Sequence, residues 1–165
     1  QVKNSLDKAG LTQPILDFIK TGKAFLGICV GMQILFDLGY EGETPTKGLG
    51  IMQGEVVMLP KEVKRIPHIG WNSLIPSSQA SFGEESLLDG LSNSKEVYFV
   101  HSYYCSAKDK QDVLAYVEPV EGLQVPAMVK KNNVYGVQFH PERSGDVGLK
   151  ILSNFLKLSI KAEVS

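Results

Sequence analysis

The first twenty residues carry apolar side chains at helical spacing. Val2 to Ala9 reads as one helix and Gln13 to Thr21 as a second. In the second, Ile15, Phe18 and Ile19 share a face, and Gly22 supplies a C-terminal stop. A continuous apolar run, Ala24 to Ile28, then predicts a buried strand. Helical spacing returns from Gly31 to Leu38 and closes at Gly39, and Glu41 to Gly50 predicts a loop. Strands dominate from there: Gly54 to Leu59, His68 to Leu74, Glu96 to Ser102, Val113 to Val117, Ala127 to Lys130 and Val134 to Phe139. Asn132-Asn133 predicts a tight hairpin turn between the last two. A final helix runs from Asp146 to Ile160. Its Val147, Ile151, Phe155 and Leu158 stripe, with Leu152, Leu156 and Ile160 beside it, predicts a face packed on a sheet. Short apolar strands with packing helices indicate an α/β sandwich around a central mixed, mostly parallel sheet. In such folds sites lie at the carboxyl ends of the strands.

At 165 residues the chain is long enough for one domain with a sizeable core. A net charge of −1 gives no electrostatic basis for binding nucleic acid or an anionic membrane. No apolar run is long enough to span a bilayer. Two cysteines, Cys29 and Cys105, are too few for a disulfide scaffold. A reducing compartment, the cytoplasm or a plastid in a plant, suits a reactive thiolate. The three histidines, His68, His101 and His140, make no ligand-spaced cluster with the cysteines, so no metal and no cofactor are expected. His101 alternates with Val97 and Phe99 on one strand face, and it and Cys105 read as structural.

Candidate chemistry lies at two strand ends. Lys23-Ala-Phe-Leu-Gly-Ile-Cys-Val-Gly-Met-Gln33 reads as strand, sharp turn and helix, with Gly27 and Gly31 flanking Cys29. Such a turn lifts the sulfur off the strand end, and the helix start aims free N–H groups at it. Both favour thiolate over thiol. Taken alone, Cys29 reads better as a buried, inert cysteine. The second run, Val134-Tyr-Gly-Val-Gln-Phe-His-Pro-Glu-Arg-Ser144, ends a strand at His140, and Pro141 stops the ladder. Glu142 follows with a carboxylate free to orient the imidazole. Thiol, imidazole and carboxylate together make an activated cysteine site, provided the fold unites them.

Gly27-Ile-Cys-Val-Gly-Met-Gln33 and Gly136-Val-Gln-Phe-His-Pro-Glu142 resemble the two motifs of class I glutamine amidotransferases, which hydrolyse glutamine to glutamate and ammonia. Ile66-Pro-His-Ile-Gly-Trp-Asn72 and Tyr98-Phe-Val-His-Ser-Tyr-Tyr104 resemble one branch, the glutaminases of imidazole glycerol phosphate synthase in histidine biosynthesis. The resemblance implies a Cys29, His140 and Glu142 triad, with the Val30 N–H as an oxyanion donor. It implies that Gln33, Ser102 and Tyr103 bind glutamine. It places His68, Ile69, Gly70, Trp71 and Asn72 on a face that docks a (β/α)₈-barrel cyclase, a separate subunit or a fused domain; Arg143, after Glu142, is a cation available to pair with a carboxylate of that partner. A core anchor is the other reading of Trp71. Glutaminases of other synthases (anthranilate, guanylate, carbamoyl phosphate, pyridoxal phosphate) and a non-catalytic partner-binding fragment remain alternatives. Similar chains open with further strands, one of them glycine-rich and beside the nucleophile. Residues 1–165 are therefore expected to be a single domain truncated at its N-terminus, with its opening strands and the strand beside the nucleophile missing, and inactive by itself.

Overall fold

The computed structural model describes residues 2–80, 86–91 and 95–164. The helices are α1 (Val2–Lys8), α2 (Thr12–Lys20), a single turn α3 (Val30–Gln33) and α4 (Gly145–Val164). The strands are β1 (Phe25–Ile28), β2 (Phe36–Gly39), β3 (Thr46–Lys47), β4 (Met52–Met58), β5 (His68–Ser73), β6 (Ile75–Pro76), β7 (Glu96–His101), β8 (Tyr103–Ala107), β9 (Val113–Val120), β10 (Leu123–Lys131) and β11 (Val134–Val137). A five-stranded sheet has the order β1-β11-β10-β9-β6, a four-stranded sheet the order β3-β2-β4-β8, and β5 pairs with β7 as a ribbon.

The architecture is the expected α/β arrangement with mixed sheets. The parallel share is smaller than expected. Among the described residues the parallel pairs are β1–β11 and β2–β4, and the other paired strands run antiparallel. The Asn132-Asn133 turn joins β10 to β11 as expected, with Asn132 in the left-handed region at φ 53°.

One predicted element is replaced. The helix expected over residues 31–38 ends at Gln33, and Phe36–Gly39 is a strand. Leu35 and Phe36 are both fully buried, although they are sequence neighbours. Neighbouring backbone also claims their carbonyls: Ile51 and Met52 donate to Leu35 O at 2.9 and 3.0 Å. A continued helix would use those carbonyls itself, so long-range pairing overrides local propensity. The short β3 lies inside the expected loop, and β8 was not expected at all. Helix α4 buries Ile151 fully and packs Val147, Phe155 and Leu158 against the main core. Leu156 and Ile160 do not join that face; they are 61% and 63% exposed.

Two apolar clusters make the core. The larger lies under α4 and holds Phe99, Phe139 and Met128; the smaller holds Met32, Phe36, Met52 and Cys105. A polar pair borders the larger one. His68 and His101 face each other across the β5–β7 ribbon, with Nδ1 of His68 3.1 Å from Nε2 of His101. Nδ1 of His101 lies 2.8 Å from the Tyr103 carbonyl, and Nδ2 of Asn72 lies 3.1 Å from Nε2 of His68. A carbonyl only accepts, so His101 Nδ1 carries a hydrogen and its Nε2 accepts from His68. His68 Nε2 in turn accepts from Asn72. Both rings are satisfied as neutral imidazoles, and an added proton would set two donors against each other.

Burial pulls His101 down to about 4 from an ordinary histidine's 6.5, with the neighbouring His68 a smaller contribution in the same direction; the Tyr103 carbonyl acts against it. Burial lowers His68 too. Between these values the unfolded chain takes up a proton at His101 that the folded chain refuses. Stability should therefore fall as pH drops from about 6.5 towards about 4, by roughly 3 kcal/mol from His101. Urea denaturation at pH 7 and pH 4.5 measures the slope. His101→Asn, which cannot titrate there, should flatten it relative to wild type; an identical slope in both proteins would remove His101 as the cause.

Candidate active site

Strand β1 ends at Ile28, and Cys29 turns the chain. Its N–H still donates to Val137 O on β11 at 2.7 Å. Its φ of 53° and ψ of −110° lie where a residue with a side chain is strained. The next turn, α3, closes back at once: the N–H groups of Met32 and Gln33 donate to Cys29 O at 3.0 and 3.2 Å. Gly27 is buried, and a Cβ there would run into the carbonyl of Gly31. The glycine before the cysteine is a steric requirement of the tight return.

Strand β11 runs parallel to β1, with Gly27 opposite Gly136 and Ile28 opposite Val137. Both strands therefore end on the same edge, and His140 follows just beyond. His140 N–H donates to Tyr98 O on β7 at 3.0 Å. Ser144, 1% exposed, donates from Oγ to His140 O at 2.6 Å and accepts from Tyr98 N–H at 2.9 Å. These bonds fasten the turn Pro141–Arg143 to β7. Glu142 Oε1 sits 2.6 Å from His140 Nδ1. That contact places the ring hydrogen on Nδ1 and leaves Nε2 as the basic nitrogen.

The sulfur of Cys29 accepts from Gln138 Nε2 at 3.7 Å, and no hydrogen bond joins it to the His140 ring. Burial raises the Cys29 thiol above the ordinary range, and the nearby Glu142 charge adds to this; the Val30 N–H and the Gln138 amide act the other way. The sequence expectation of a favoured thiolate is thus corrected for the protein at rest. A helix of one turn carries little dipole, and desolvation outweighs two hydrogen bonds.

A cavity of about 280 Å³ opens beside the sulfur, lined by Cys29, Val30, Gln33, Glu41, Pro67, Val100, His101, Ser102 and Tyr103. The expected substrate residues Gln33, Ser102 and Tyr103 therefore share one space with the nucleophile candidate. This volume lies near the small end of ligand pockets, roughly 300–1,000 Å³. Gln33 Nε2 donates to Tyr103 O at 3.0 Å and to Gln138 Oε1 at 3.1 Å.

The expected docking residues divide between two faces of β5. Ile69 and Trp71 point outward, 59% and 55% exposed. Trp71 is thus no core anchor. It meets Tyr98 edge-on at 6.0 Å, and exposed Arg143 stacks over the same Tyr98 ring at 4.6 Å. His68 is buried instead, stacked on Phe99, and half-buried Asn72 is turned to it. Gly70 sits between, at φ 145°.

Three contributors were missed in the sequence. Gln138 is fully buried yet polar, and its place among the apolar residues of the β11 run was a readable signal. Ser144 and Glu41 carried none, because their roles depend on β7 and on the loop after β2 folding back.

Comparison with known proteins agrees with this geometry. The sequence profile of the family "Glutamine amidotransferase class-I" matches residues 5–158. The imidazole glycerol phosphate synthase subunit HisH of Caldanaerobacter subterraneus subsp. tengcongensis is 49% identical over 150 residues, covering 91% of this chain and 70% of that protein. HisH of Bacillus subtilis is 40% identical over 169 residues, covering 98% and 76%. A crystal structure of glutamine amidotransferase superposes with a TM-score of 0.67 at 19% identity, covering 96% of this chain and 72% of that one. PurLQS from Thermotoga maritima superposes at 0.63 with 21% identity, covering 89% and 67%. These two likenesses concern the fold. By profile, by sequence identity and by the two motifs at its strand ends, the chain belongs to the class I glutamine amidotransferases.

Proposed function

We propose that this chain is the glutaminase of imidazole glycerol phosphate synthase. It hydrolyses glutamine to glutamate and ammonia, and the ammonia passes to a (β/α)₈-barrel cyclase, separate or fused. That cyclase makes imidazole glycerol phosphate and aminoimidazole carboxamide ribotide. The identity to HisH subunits supports the branch. One observation carries the chemistry: a strained Cys29 and a paired His140–Glu142 follow adjacent parallel strands that end on one edge.

In this reading His140 Nε2 takes the Cys29 proton as the sulfur attacks the side-chain amide carbon. Its Nδ1–H goes on donating to the Glu142 carboxylate, which stabilises the imidazolium. The Val30 N–H, already aimed at the sulfur, donates to the tetrahedral oxyanion. His140 returns the proton to the leaving ammonia, and water hydrolyses the thioester. Gln33, Ser102 and Tyr103 hold the substrate backbone. Glu41, the carboxylate lining the cavity, is the acceptor for the α-ammonium. The raised thiol fits a site that ionises cysteine only as the imidazole accepts its proton. Outward Ile69, Trp71 and Arg143 form the docking face, with Tyr98 beneath.

Cys29→Ala should abolish ammonia release from glutamine, while a coupled cyclase still accepts free ammonia. A glutamine-analogue electrophile should label Cys29 and spare Cys105, which is fully buried with its thiol pushed far up by burial. His140→Ala should lower kcat by several orders of magnitude, on the scale of about 10⁴. Peptide mapping and turnover assays decide; normal glutamine-dependent turnover in Cys29→Ala would end the proposal.

Trp71→Ala should weaken cyclase binding by about 2 kcal/mol or more. Because the ring is more than half exposed, the isolated chain should melt within about 1 kcal/mol of wild type. Titration calorimetry with the cyclase and a thermal melt of the variant test both. Unchanged affinity would move the docking face elsewhere.

A further inference from the structure

An unbroken hydrogen-bonded thread crosses from the docking ribbon to the nucleophile candidate. Asn72 donates to His68, His68 to His101, and His101 to the Tyr103 carbonyl. The same carbonyl accepts from Gln33, Gln33 also donates to Gln138, and Gln138 donates to the Cys29 sulfur. We propose that His101 is a positioning residue for the glutaminase reaction: through the Tyr103 carbonyl it orients Gln33, and through Gln33 it aims the Gln138 amide at Cys29. This rests on the glutaminase reading above.

Donor and acceptor sites along the thread fix the orientation of each amide. A carbonyl oxygen has two acceptor sites, and those of Tyr103 are taken by His101 Nδ1 at 2.8 Å and Gln33 Nε2 at 3.0 Å. An amide nitrogen has two hydrogens, and those of Gln33 go to Tyr103 and to Gln138 Oε1 at 3.1 Å. Gln33 Oε1 is the acceptor left for a ligand in the cavity that Gln33 lines. Gln138 Oε1 is engaged, so its Nε2 faces the sulfur. Gln138 has no exposed surface, so no solvent exchange can substitute for a lost partner. Reversing either amide would set oxygen against oxygen or remove the donor from sulfur. The thread therefore has one arrangement, and His101 holds the carbonyl on which it pivots. The residue at that place needs a donor towards Tyr103 and an acceptor towards His68, which a neutral imidazole supplies.

Two substitutions separate the ends of the ring. His101→Asn keeps an amide nitrogen near Nδ1 and hence the donor to Tyr103. His101→Gln reaches the Nε2 position and gives that donor up. The reaction of Cys29 with iodoacetamide, followed against pH in the full chain, reads the Gln138 donor without any glutamine turnover. Glu142, His140 and Cys105, with Glu41 and Tyr103 in the shared cavity, are the other titratable groups near the sulfur; both substitutions keep them and both remove the His101 imidazole, so the Gln and Asn variants are compared with each other. His101→Gln should slow alkylation roughly two- to tenfold at a fixed pH below the thiol's titration, and raise KM for glutamine by a similar factor in the complex with cyclase. His101→Asn should restore both to within about twofold of wild type. Gln138→Leu should reproduce the alkylation shift, and it carries the test if His101→Gln fails to fold. Equal behaviour of the Gln and Asn variants, or an unshifted alkylation profile in Gln138→Leu, would overturn the proposal. Absence of glutamine turnover in the full-length wild type with cyclase bound would refute the glutaminase reading and leave the alkylation test of the thread intact.

Discussion

The parallel pairing of β1 with β11 is the constraint on which the site depends. It sets Gly27 against Gly136 and carries the ladder one step further, from the Cys29 N–H to Val137 O at 2.7 Å. That last bond fixes where the cysteine leaves the sheet. The register also fixes where β11 ends, and so where His140 begins. Both facing glycines are sterically required, because α3 folds back over them. A Cβ on Gly136 would meet Met32 Cγ and Val129 Cγ2 at 2.8 Å. Slip the register by one residue and a side chain would fill the space that the nucleophile turn occupies.

Around that pairing the protein sets burial against polarity. Desolvation raises the Cys29 thiol and depresses His101, so both side chains are held in their neutral forms. Amides and carbonyls do the local work in the interior: Gln138, Gln33 and the Tyr103 carbonyl are joined without one formal charge. The carboxylate that completes the constellation, Glu142, is kept at the surface, its side chain 53% exposed. Its charge is solvated at rest and available to an imidazolium when one forms. A buried carboxylate there would carry a large desolvation cost and would raise the thiol further.

The two motif runs were legible because each is local. Cys29 with its glycine and the His140–Glu142 step are short-range patterns, and the structure sets both at neighbouring strand ends. Most strands were legible from apolar runs. The replaced helix shows the limit. Residues 31–38 have helical spacing, and only the partners of Leu35 and Phe36, far along the chain, turn the second half into β2. Strand β8 was missed for a similar reason. Its Tyr-Tyr-Cys-Ser-Ala composition is unremarkable alone and becomes a strand by pairing with β4. Trp71 could be read as core or surface from its type, and only the alternation imposed by β7 decides that it points outward. The thiol's ionisation was misjudged because burial is not visible in a motif.

Strand β7 connects these levels. Its outward residue Tyr98 touches Trp71 and Arg143 through the ring. The backbone of the same residue holds His140 N–H directly and His140 O through Ser144. Its inward residues Phe99 and His101 reach the core and the thread to Cys29. Two hydrogen-bonded routes thus lead inward from the ribbon, one to the backbone of His140 and one to the Cys29 sulfur. Each passes through a buried polar residue, Ser144 on the first and His101 and Gln138 on the second. Among the described strands β5 and β7 pair only with each other, and the ribbon joins the five-stranded sheet through Leu74, which leads from β5 into β6, and through the hydrogen bonds of Tyr98 to His140 and Ser144.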